Sequence, residues 1–197
     1  MQTYSHALIN GVLAGPLQRR GWKVNFPAFI LGGVVPDLPF FLLTVAGEIY
    51  YALIGGTPTG ESPMVYMHMT LYFADPLWIS AHNLLHAPLI LLVLGGIGYW
   101  GLASGRRWVG FLFWFSMGAG IHTVIDIATH VDDGPLLFFP FNWSYRLQSP
   151  ISYWDPEHYG LIFAPLEHLL DVALIFILVR RWRTQKRPMD APSEQRS

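Results

Sequence analysis

The chain contains no cysteine among its 197 residues, so it can form neither disulfide bonds nor a thiolate metal site. Any metal must be held by histidine, carboxylate and water, a ligand set that suits zinc, manganese or iron better than thiolate-bound copper. Charged residues are also scarce, at 13% of the chain against about 25% in soluble domains. The net charge of −1 gives no electrostatic reason to expect a nucleic-acid partner, and nothing indicates the oligomeric state.

Hydrophobic residues make up 52% of the chain, and its mean hydropathy is +0.35. A shorter apolar segment, residues 3–18, either spans the membrane or lies at its interface. The long apolar segments are residues 26–54, 86–103, 108–130 and 161–182. We therefore predict an all-α integral membrane helical bundle with four to five transmembrane helices.

Two segments rich in aromatic residues, 55–81 and 131–158, separate the apolar segments and are predicted to be extracytoplasmic loops. The first contains no lysine or arginine, and the second contains only Arg146. Cytoplasmic flanks of membrane helices carry an excess of lysine and arginine. Basic residues gather at 19–23, 106–107 and 180–187, so we expect these ends in the cytoplasm.

The chain divides into a single transmembrane helical domain, residues 1–182, and a basic-to-polar cytoplasmic tail, residues 183–197. This arrangement makes the protein multi-pass, with membrane lipid as its immediate neighbour. It also brings the main histidines and aspartates of separate segments to one depth, in the outer half of the bilayer.

Histidine and aspartate recur at helical spacing in or beside the apolar segments. His82 and His86 are four residues apart, as are His122 and Asp126, and His130 follows one turn later. Residues four apart share a helix face, with about 5–6 Å between their Cβ atoms. Because ionisable side chains at membrane depth usually mark a function, the pattern predicts a metal centre. Hydrogen bonds that join helices are the structural alternative.

Asp37 follows Pro36 inside the apolar segment 26–54, shortly after Gly32-Gly33. Proline bends a helix, and glycine allows a second helix to approach closely. We therefore expect a pocket around Asp37, in which its carboxylate binds metal or acts as a base. The alternative is that Asp37 caps a half-helix.

A second cluster lies in the last apolar segment, where Glu167 and Asp171 share a helix face with His168 between them. Packing or ion pairing inside the bundle is the simpler interpretation of this cluster. Otherwise these residues support the metal centre from outside the ligand set, and His130 has the same predicted role.

Several motifs occur in an order that resembles the YdjM-like membrane-bound metal-dependent hydrolases, and this resemblance covers residues 5–130. They are Ser5-His6, Gly32-Gly33-Val34-Val35-Pro36-Asp37, His82-x-x-x-His86, His122-x-x-x-Asp126 and Thr129-His130. That family looks distantly similar to zinc-dependent phospholipase C and the P1-type nucleases. The chain departs from the family pattern after Pro36-Asp37, where Leu38 replaces a second aspartate, and around His86, where arginine and serine are missing.

The resemblance implies a hydrolase in a bacterial inner membrane that acts on a phosphoester or lipid-linked substrate through metal-activated water. Asp37 and Asp126 are the predicted catalytic residues. The expected cofactor is a divalent metal, most naturally zinc, with manganese or iron as alternatives. The predicted ligands are His6, Asp37, His82, His86, His122 and Asp126.

Two other functions fit the same residues. Histidine and aspartate inside a membrane also form paths for ions, protons or metals, but the cytoplasmic halves near 26–31, 95–103 and 108–117 lack both acids and histidines. In a non-catalytic scaffold, the same side chains would only join helices. The motif His-Glu-x-x-His is absent, which counts against a protease of the zincin type.

Overall fold

The computed structural model describes residues 1–185; residues 186–197, most of the predicted tail, lie outside the described residues. Between residues 1 and 185 the chain is mainly helical and contains no strand, which confirms the all-α fold class. The principal helices are α1 (Thr3–Arg19), α2 (Phe26–Gly32), α3 (Leu38–Ile54), α4 (Pro76–Asn83), α5 (Pro88–Ala103), α6 (Arg107–Thr129) and α7 (Gly160–Gln185). The last helix therefore continues past residue 182, where the tail was predicted to begin.

Three stretches of residues 1–185 are long and apolar enough to cross a membrane: Val35–Ile54, Arg107–Thr129 and Gly160–Thr184. Helices α4 and α5 meet at a bend of 46°, and they make a fourth span if they are counted together. Three or four spans agree with a helical membrane bundle. Helix α1 has 17 residues and is not among these stretches, so a fifth span has no support.

The prediction of a loop over residues 55–81 is wrong for most of this segment, which is helical. Helical turns at Pro63–Val65, Tyr66–Leu71 and Tyr72–Ala74 lead into α4, and the middle one is a π-helix. At the start of α4, Asp75 Oδ1 accepts hydrogen bonds from the backbone of Leu77 (2.9 Å) and Trp78 (3.2 Å). Polar residues that suggest a loop in the sequence are thus helix caps. The second loop, 131–158, is irregular as predicted until the short turn Pro156–His158.

Helices α2 and α6 approach each other at glycines. A Cβ atom on Gly32 would overlap the carbonyl oxygen of Phe115, and one on Gly118 would overlap that of Phe29. Asn10 of α1 joins these two helices, because its Nδ2 donates to the carbonyls of Phe29 (2.9 Å) in α2 and Gly118 (3.3 Å) in α6. This contact fixes α1, α2 and α6 relative to one another.

Two breaks in the helices occur beside α6. Between α2 and α3 the chain passes through the short 3₁₀ turn Val35–Asp37, at the predicted Gly-Gly and Pro-Asp position. Between α4 and α5, residues 84–87 leave the helix just before Pro88. Thr123 of α6 donates to the free carbonyl of His86 (2.9 Å). The breaks bring Asp37 and His86 to the same end of α6.

The polar and basic parts of the bundle lie at opposite ends. His122 is about 22 Å along α6 from Arg107, and His6 is about 20 Å along α1 from Arg19, at 1.5 Å per residue. Near the basic end of α1, Arg181 of α7 donates to the carbonyl of Val12 (2.7 Å). The predicted separation of basic residues from the histidine and aspartate residues is therefore present in the fold.

Candidate metal centre

Four side chains from three parts of the fold converge at one point: Asp37 before α3, His86 between α4 and α5, and His122 and Asp126 of α6. One ligand atom from each lies within 4.8 Å of the others. His86 Nε2 and His122 Nε2 are 3.0 Å apart. Asp37 Oδ1 is 3.2 Å from the first nitrogen and 3.4 Å from the second. The group could hold a metal ion.

Backbone carbonyls fix the orientation of both imidazoles. His86 Nδ1 lies 2.6 Å from the carbonyl oxygen of His82, and His122 Nδ1 lies 3.1 Å from that of Gly33. A carbonyl can only accept, so each Nδ1 carries a proton, and in the neutral imidazole each Nε2 presents a lone pair. Two lone pairs that face each other at 3.0 Å repel unless a metal ion lies between them or one Nε2 carries a proton that the aspartates accept. Donation from Nδ1 to a carbonyl is also the usual outer contact of a metal-binding histidine.

The separations of the ligand atoms fit a small divalent ion. Ligands at about 2.0–2.1 Å around a tetrahedral zinc ion are about 3.3 Å from one another. Asp126 Oδ2 lies 2.9 Å from His122 Nε2 and 3.6 Å from His86 Nε2, which brackets that value as the Asp37 distances do. Two imidazoles and two carboxylates form a nitrogen and oxygen donor set suited to zinc, manganese or iron. The residues present therefore fit the predicted metal.

The second oxygen of Asp126 faces away from this group and towards α1. His6 Nε2 lies 3.1 Å from Asp126 Oδ1, and the His6 ring stacks on His122 with 3.7 Å between centroids. The terminal amino group of Met1 donates a hydrogen bond to the same oxygen (3.3 Å). His6 is therefore next to the four-residue group without belonging to it, and both of its ring nitrogens lack a hydrogen bond.

Asp37 does not cap α3, because its side chain accepts no hydrogen bond from the first turn of that helix. Oδ1 faces the two imidazoles, while Oδ2 accepts a hydrogen bond from the Thr3 hydroxyl. The carboxylate is 27% exposed, whereas the Asp126 carboxylate is 5% exposed. Asp37 is thus the acid of the centre that a substrate can reach.

The other two histidines of the motifs lie at the edge of the centre. His82 stacks on His86 with 4.3 Å between ring centroids, but its Nε2 is buried and makes no hydrogen bond. His130 Nδ1 donates to the carbonyl of Asp126 (2.9 Å) and is 4.0 Å from Oδ1 of that residue. The four-residue spacing correctly predicted that His82 and His86 lie side by side. Only His86, which lies beyond the end of α4, belongs to the four-residue group.

The cluster in α7 does not reach the metal centre. Glu167 and Asp171 are buried against α1, where they accept hydrogen bonds from the backbone of Gln2 (2.6 Å) and the hydroxyl of Ser5 (3.1 Å). His168 is exposed at the surface, and its Nδ1 lies 3.3 Å from the Tyr4 hydroxyl. These acids hold the first turn of α1, which also carries Thr3 and His6.

A cavity of about 870 Å³ opens directly beside the centre, with Asp37, His82, Asp126 and His130 among its lining residues. Tyr72 and Tyr153 also line it, and burial raises the pKa of both hydroxyls, so these remain protonated. Near the mouth, the hydrogen bond from His158 lowers the pKa of Asp155. A substrate could therefore reach Asp37 from a space that is large enough for more than a water molecule.

Sequence reasoning missed several contacts that build the centre. No motif identifies Thr3 as the partner of Asp37, Thr123 as the partner of the His86 carbonyl, or the Gly33 carbonyl as the anchor of His122. Asn10 could have been found, because it lies one turn after His6 in the same apolar helix. The missed contacts join residues distant in sequence.

Comparisons with known proteins agree with the family identified from the motifs. Neither the curated proteins nor the solved structures contain a match to this chain, so the more distant similarity to phospholipase C and P1-type nucleases gains no support. The family described as YdjM inner membrane protein matches residues 1–189. This match covers nearly the whole chain, including every element that contributes to the centre, and the protein belongs to the YdjM inner membrane protein family.

Proposed function

We propose that this protein is a membrane-embedded, metal-dependent hydrolase that acts on a phosphoester or lipid-linked substrate. The observation that carries the proposal is the convergence of His86 Nε2 and His122 Nε2, whose lone pairs face each other between two carboxylates. Hydrogen bonds that merely join helices would not need both imidazoles to be fixed with their lone pairs towards one point. A cation satisfies all four groups at once.

Asp37, His86, His122 and Asp126 would hold the ion, with zinc the best fit and manganese or iron as alternatives. When bound, a divalent metal supplies Lewis acidity: it polarises a phosphoryl or carbonyl oxygen and lowers the pKa of water. His6, stacked on His122, keeps that ring in place and lies beside Asp126 Oδ1, the oxygen that faces α1. A direct ligand role for His6 stays a prediction, because its Nε2 contacts Asp126 Oδ1 and lies outside the four-residue group.

Asp37 is positioned to accept the proton of an attacking water, because its carboxylate lines the cavity and is the more exposed of the two acids. The Thr3 hydroxyl holds Oδ2 and so fixes the plane of the carboxylate. Asp126, the other predicted catalytic residue, would act by holding the ion, because it is buried among His6, His86 and His122. Hydrolysis then consumes one water and releases an alcohol from the ester.

The transport alternative has less support from the buried polar side chains. Between the centre and the basic end of the bundle, the buried polar residues of α1 and α6 include Asn10 and Ser116. Neither side chain titrates, and Asn10 donates to carbonyls that join α1, α2 and α6. A chain of acids or histidines that could carry protons is absent from this part of the described residues.

Metal content of the detergent-purified protein tests the proposal. We expect near-stoichiometric zinc, manganese or iron in the wild type, and loss of that metal in His122→Ala. His158→Ala is the matched control, because His158 lies in the second loop and contacts Asp155 instead of the centre. Absence of metal from the wild type after titration would overturn the proposal, as would equal metal content in both variants.

We also propose that the basic ends face the cytoplasm and that the metal centre lies in the outer half of the inner membrane. The absence of native cysteine allows a direct test with single cysteine variants. We expect a membrane-impermeant maleimide to label Thr59→Cys in intact cells. Ser104→Cys should react only after the membrane is permeabilised. The opposite labelling pattern would invert the orientation and place the C-terminus outside.

A further inference from the structure

The cavity beside the metal centre has one apolar wall and one polar wall. Side chains of α3 and of residues 63–74, including Phe41, Val45 and Met69, form the apolar wall, which Glu48 of α3 interrupts with one carboxylate. Residues 130–133 and 152–155 form the polar wall and include Asp132. A cavity of about 870 Å³ is far larger than inorganic phosphate needs. Its two walls suit an amphiphile with a chain and a polar headgroup.

Carboxylates dominate the charges around this cavity, and the terminal amino group of Met1, which pairs with Asp126, adds a positive charge among the lining residues. No lysine or arginine is among the lining residues found in the described part of the chain. Six carboxylates line it: Asp37, Glu48, Asp126, Asp132, Asp133 and Asp155. A divalent ion at the centre would balance Asp37 and Asp126 only. The remaining acids disfavour a headgroup whose net charge is negative.

Of the four acids outside the metal centre, two have hydrogen-bond or ion-pair partners and two do not. Asp133 accepts from the Trp154 indole (2.9 Å), and Asp155 lies 2.7 Å from His158 Nδ1. Within residues 1–185, the side-chain carboxylates of Glu48 and Asp132 make neither a hydrogen bond nor an ion pair. Glu48 is half-buried in α3, inside a stretch apolar enough to cross a membrane. An unpaired carboxylate at that depth costs free energy, and a bound cation would lower this cost.

A third, independent observation indicates that a polar ligand group reaches the inner end of the cavity. His82 lines the cavity, is 91% buried, and its Nε2 makes no hydrogen bond. Buried polar atoms without partners are uncommon in native proteins and need an explanation. A headgroup that extends from the metal centre along the cavity supplies that partner.

We propose that the cavity binds an amphiphilic membrane lipid whose headgroup carries a positively charged amine. Its chain lies on the wall formed by α3 and residues 63–74, and its amine pairs with Asp132 or Glu48. This inference rests on the proposed hydrolase function, for which it names the substrate class.

The test is binding of matched probes to the whole protein in nanodiscs, measured by native mass spectrometry. The probes are lysophosphatidylethanolamine and lysophosphatidylglycerol with the same acyl chain, together with soluble phosphoethanolamine, which has no chain. We expect about tenfold tighter binding of the amine lipid, equivalent to one modest charge contact. Phosphoethanolamine without a chain should bind weakly.

The double variant Glu48→Gln and Asp132→Asn should lose the preference for the amine lipid while still binding both lipids. Glu157→Gln is the matched control: it removes one acid beside the mouth that does not line the cavity, and it should keep the preference. Equal binding of both lipids by the wild type would overturn the inference, as would an unchanged preference in the double variant. Strong binding of phosphoethanolamine alone would overturn the role of the chain.

Metal content measured on the same samples separates the two proposals. A wild type that holds metal but shows no amine preference overturns only the substrate class. A wild type without metal overturns the hydrolase function and, with it, the interpretation of the lipid as a substrate.

Discussion

Helices α6 and α7 each carry a cluster of acids and histidines whose members are about one helical turn apart. Only the cluster in α6 forms part of a candidate metal centre. In α6, Asp126 faces His122 at 2.9 Å and His86 at 3.6 Å. In α7, Asp171 faces the Ser5 hydroxyl at 3.1 Å, and its other oxygen is buried without a partner. The same local spacing thus leads to a multi-helix centre in one place and to a helix contact in the other.

The difference lies in what the neighbouring elements deliver. The breaks before α3 and before α5 place Asp37 and His86 against α6, so four groups converge. Facing α7 is the first turn of α1, which offers a backbone N–H and a hydroxyl, both of which are donors to the acids. Donors stabilise the carboxylates of α7 without a metal, although Asp171 Oδ1 stays unpaired, whereas the imidazole nitrogens and carboxylates that converge at α6 form a donor set for a cation.

The largest expected effect comes from neutralising one aspartate in each cluster. Asp126→Asn should lower metal affinity about 100-fold or more, because even outer partners of metal ligands change affinity 10–100-fold. Asp171→Asn should keep the metal, because its carboxylate contacts Ser5 instead of the centre. Metal titration of both purified variants checks this. Equal metal loss in the two variants would show that the clusters act as one site.

A smaller effect is expected from the glycine contact that holds α2 against α6. Gly32→Ala should destabilise the protein by about 1–3 kcal/mol, because the new Cβ meets backbone atoms of Phe115 and Ala119 that cannot move aside. It should also lower metal content, since Gly33 anchors His122. Gly96→Ala is the control, because no atom lies within 4 Å of its added Cβ. Matching unfolding curves for the two variants would refute the close contact.

Removing the donor to the α7 cluster should affect stability but not metal. Ser5→Ala leaves Asp171 buried with fewer partners and should destabilise the protein by about 1 kcal/mol. Metal content should stay at the wild-type value, since Ser5 makes no contact with the four-residue group. Ser104→Ala, at an exposed helix end, should leave both quantities unchanged. Loss of metal from Ser5→Ala would instead link the two clusters through α1.

The smallest effect concerns Asp155 in the second loop, where His158 and the Glu157 backbone lower its pKa. A carboxyl whose pKa is lowered in the folded state stabilises the fold above its unfolded value of about 3.9 and loses this contribution as the pH falls further. Asp155→Asn should therefore lower the unfolding temperature slightly at neutral pH. The difference from wild type should vanish in strong acid. A difference that persists there would exclude titration of Asp155 as its cause.

Much of the helical framework could be predicted from the sequence because apolar length and basic flanks are local properties. The segments 108–130 and 161–182 correspond to α6 and α7 within a few residues. The prediction of a loop over 55–81 was wrong, because aromatic and polar residues there form short helical turns that pack against α3. Packing contacts, which no periodic pattern in the sequence expresses, decide the helicity of such a segment.

The sequence by itself determined that this is a helical membrane protein of the YdjM family in which histidine and aspartate recur at helical spacing. Spacing cannot determine which of those side chains meet, because partners such as Asp37, in the turn before α3, and His122, in α6, belong to different elements. The tertiary structure decided that Asp37, His86, His122 and Asp126 converge, while His82 lines the cavity and Asp171 binds α1. The physical reason is that helix breaks and glycine contacts set the relative positions of helices, and those positions set the distances between ligand atoms.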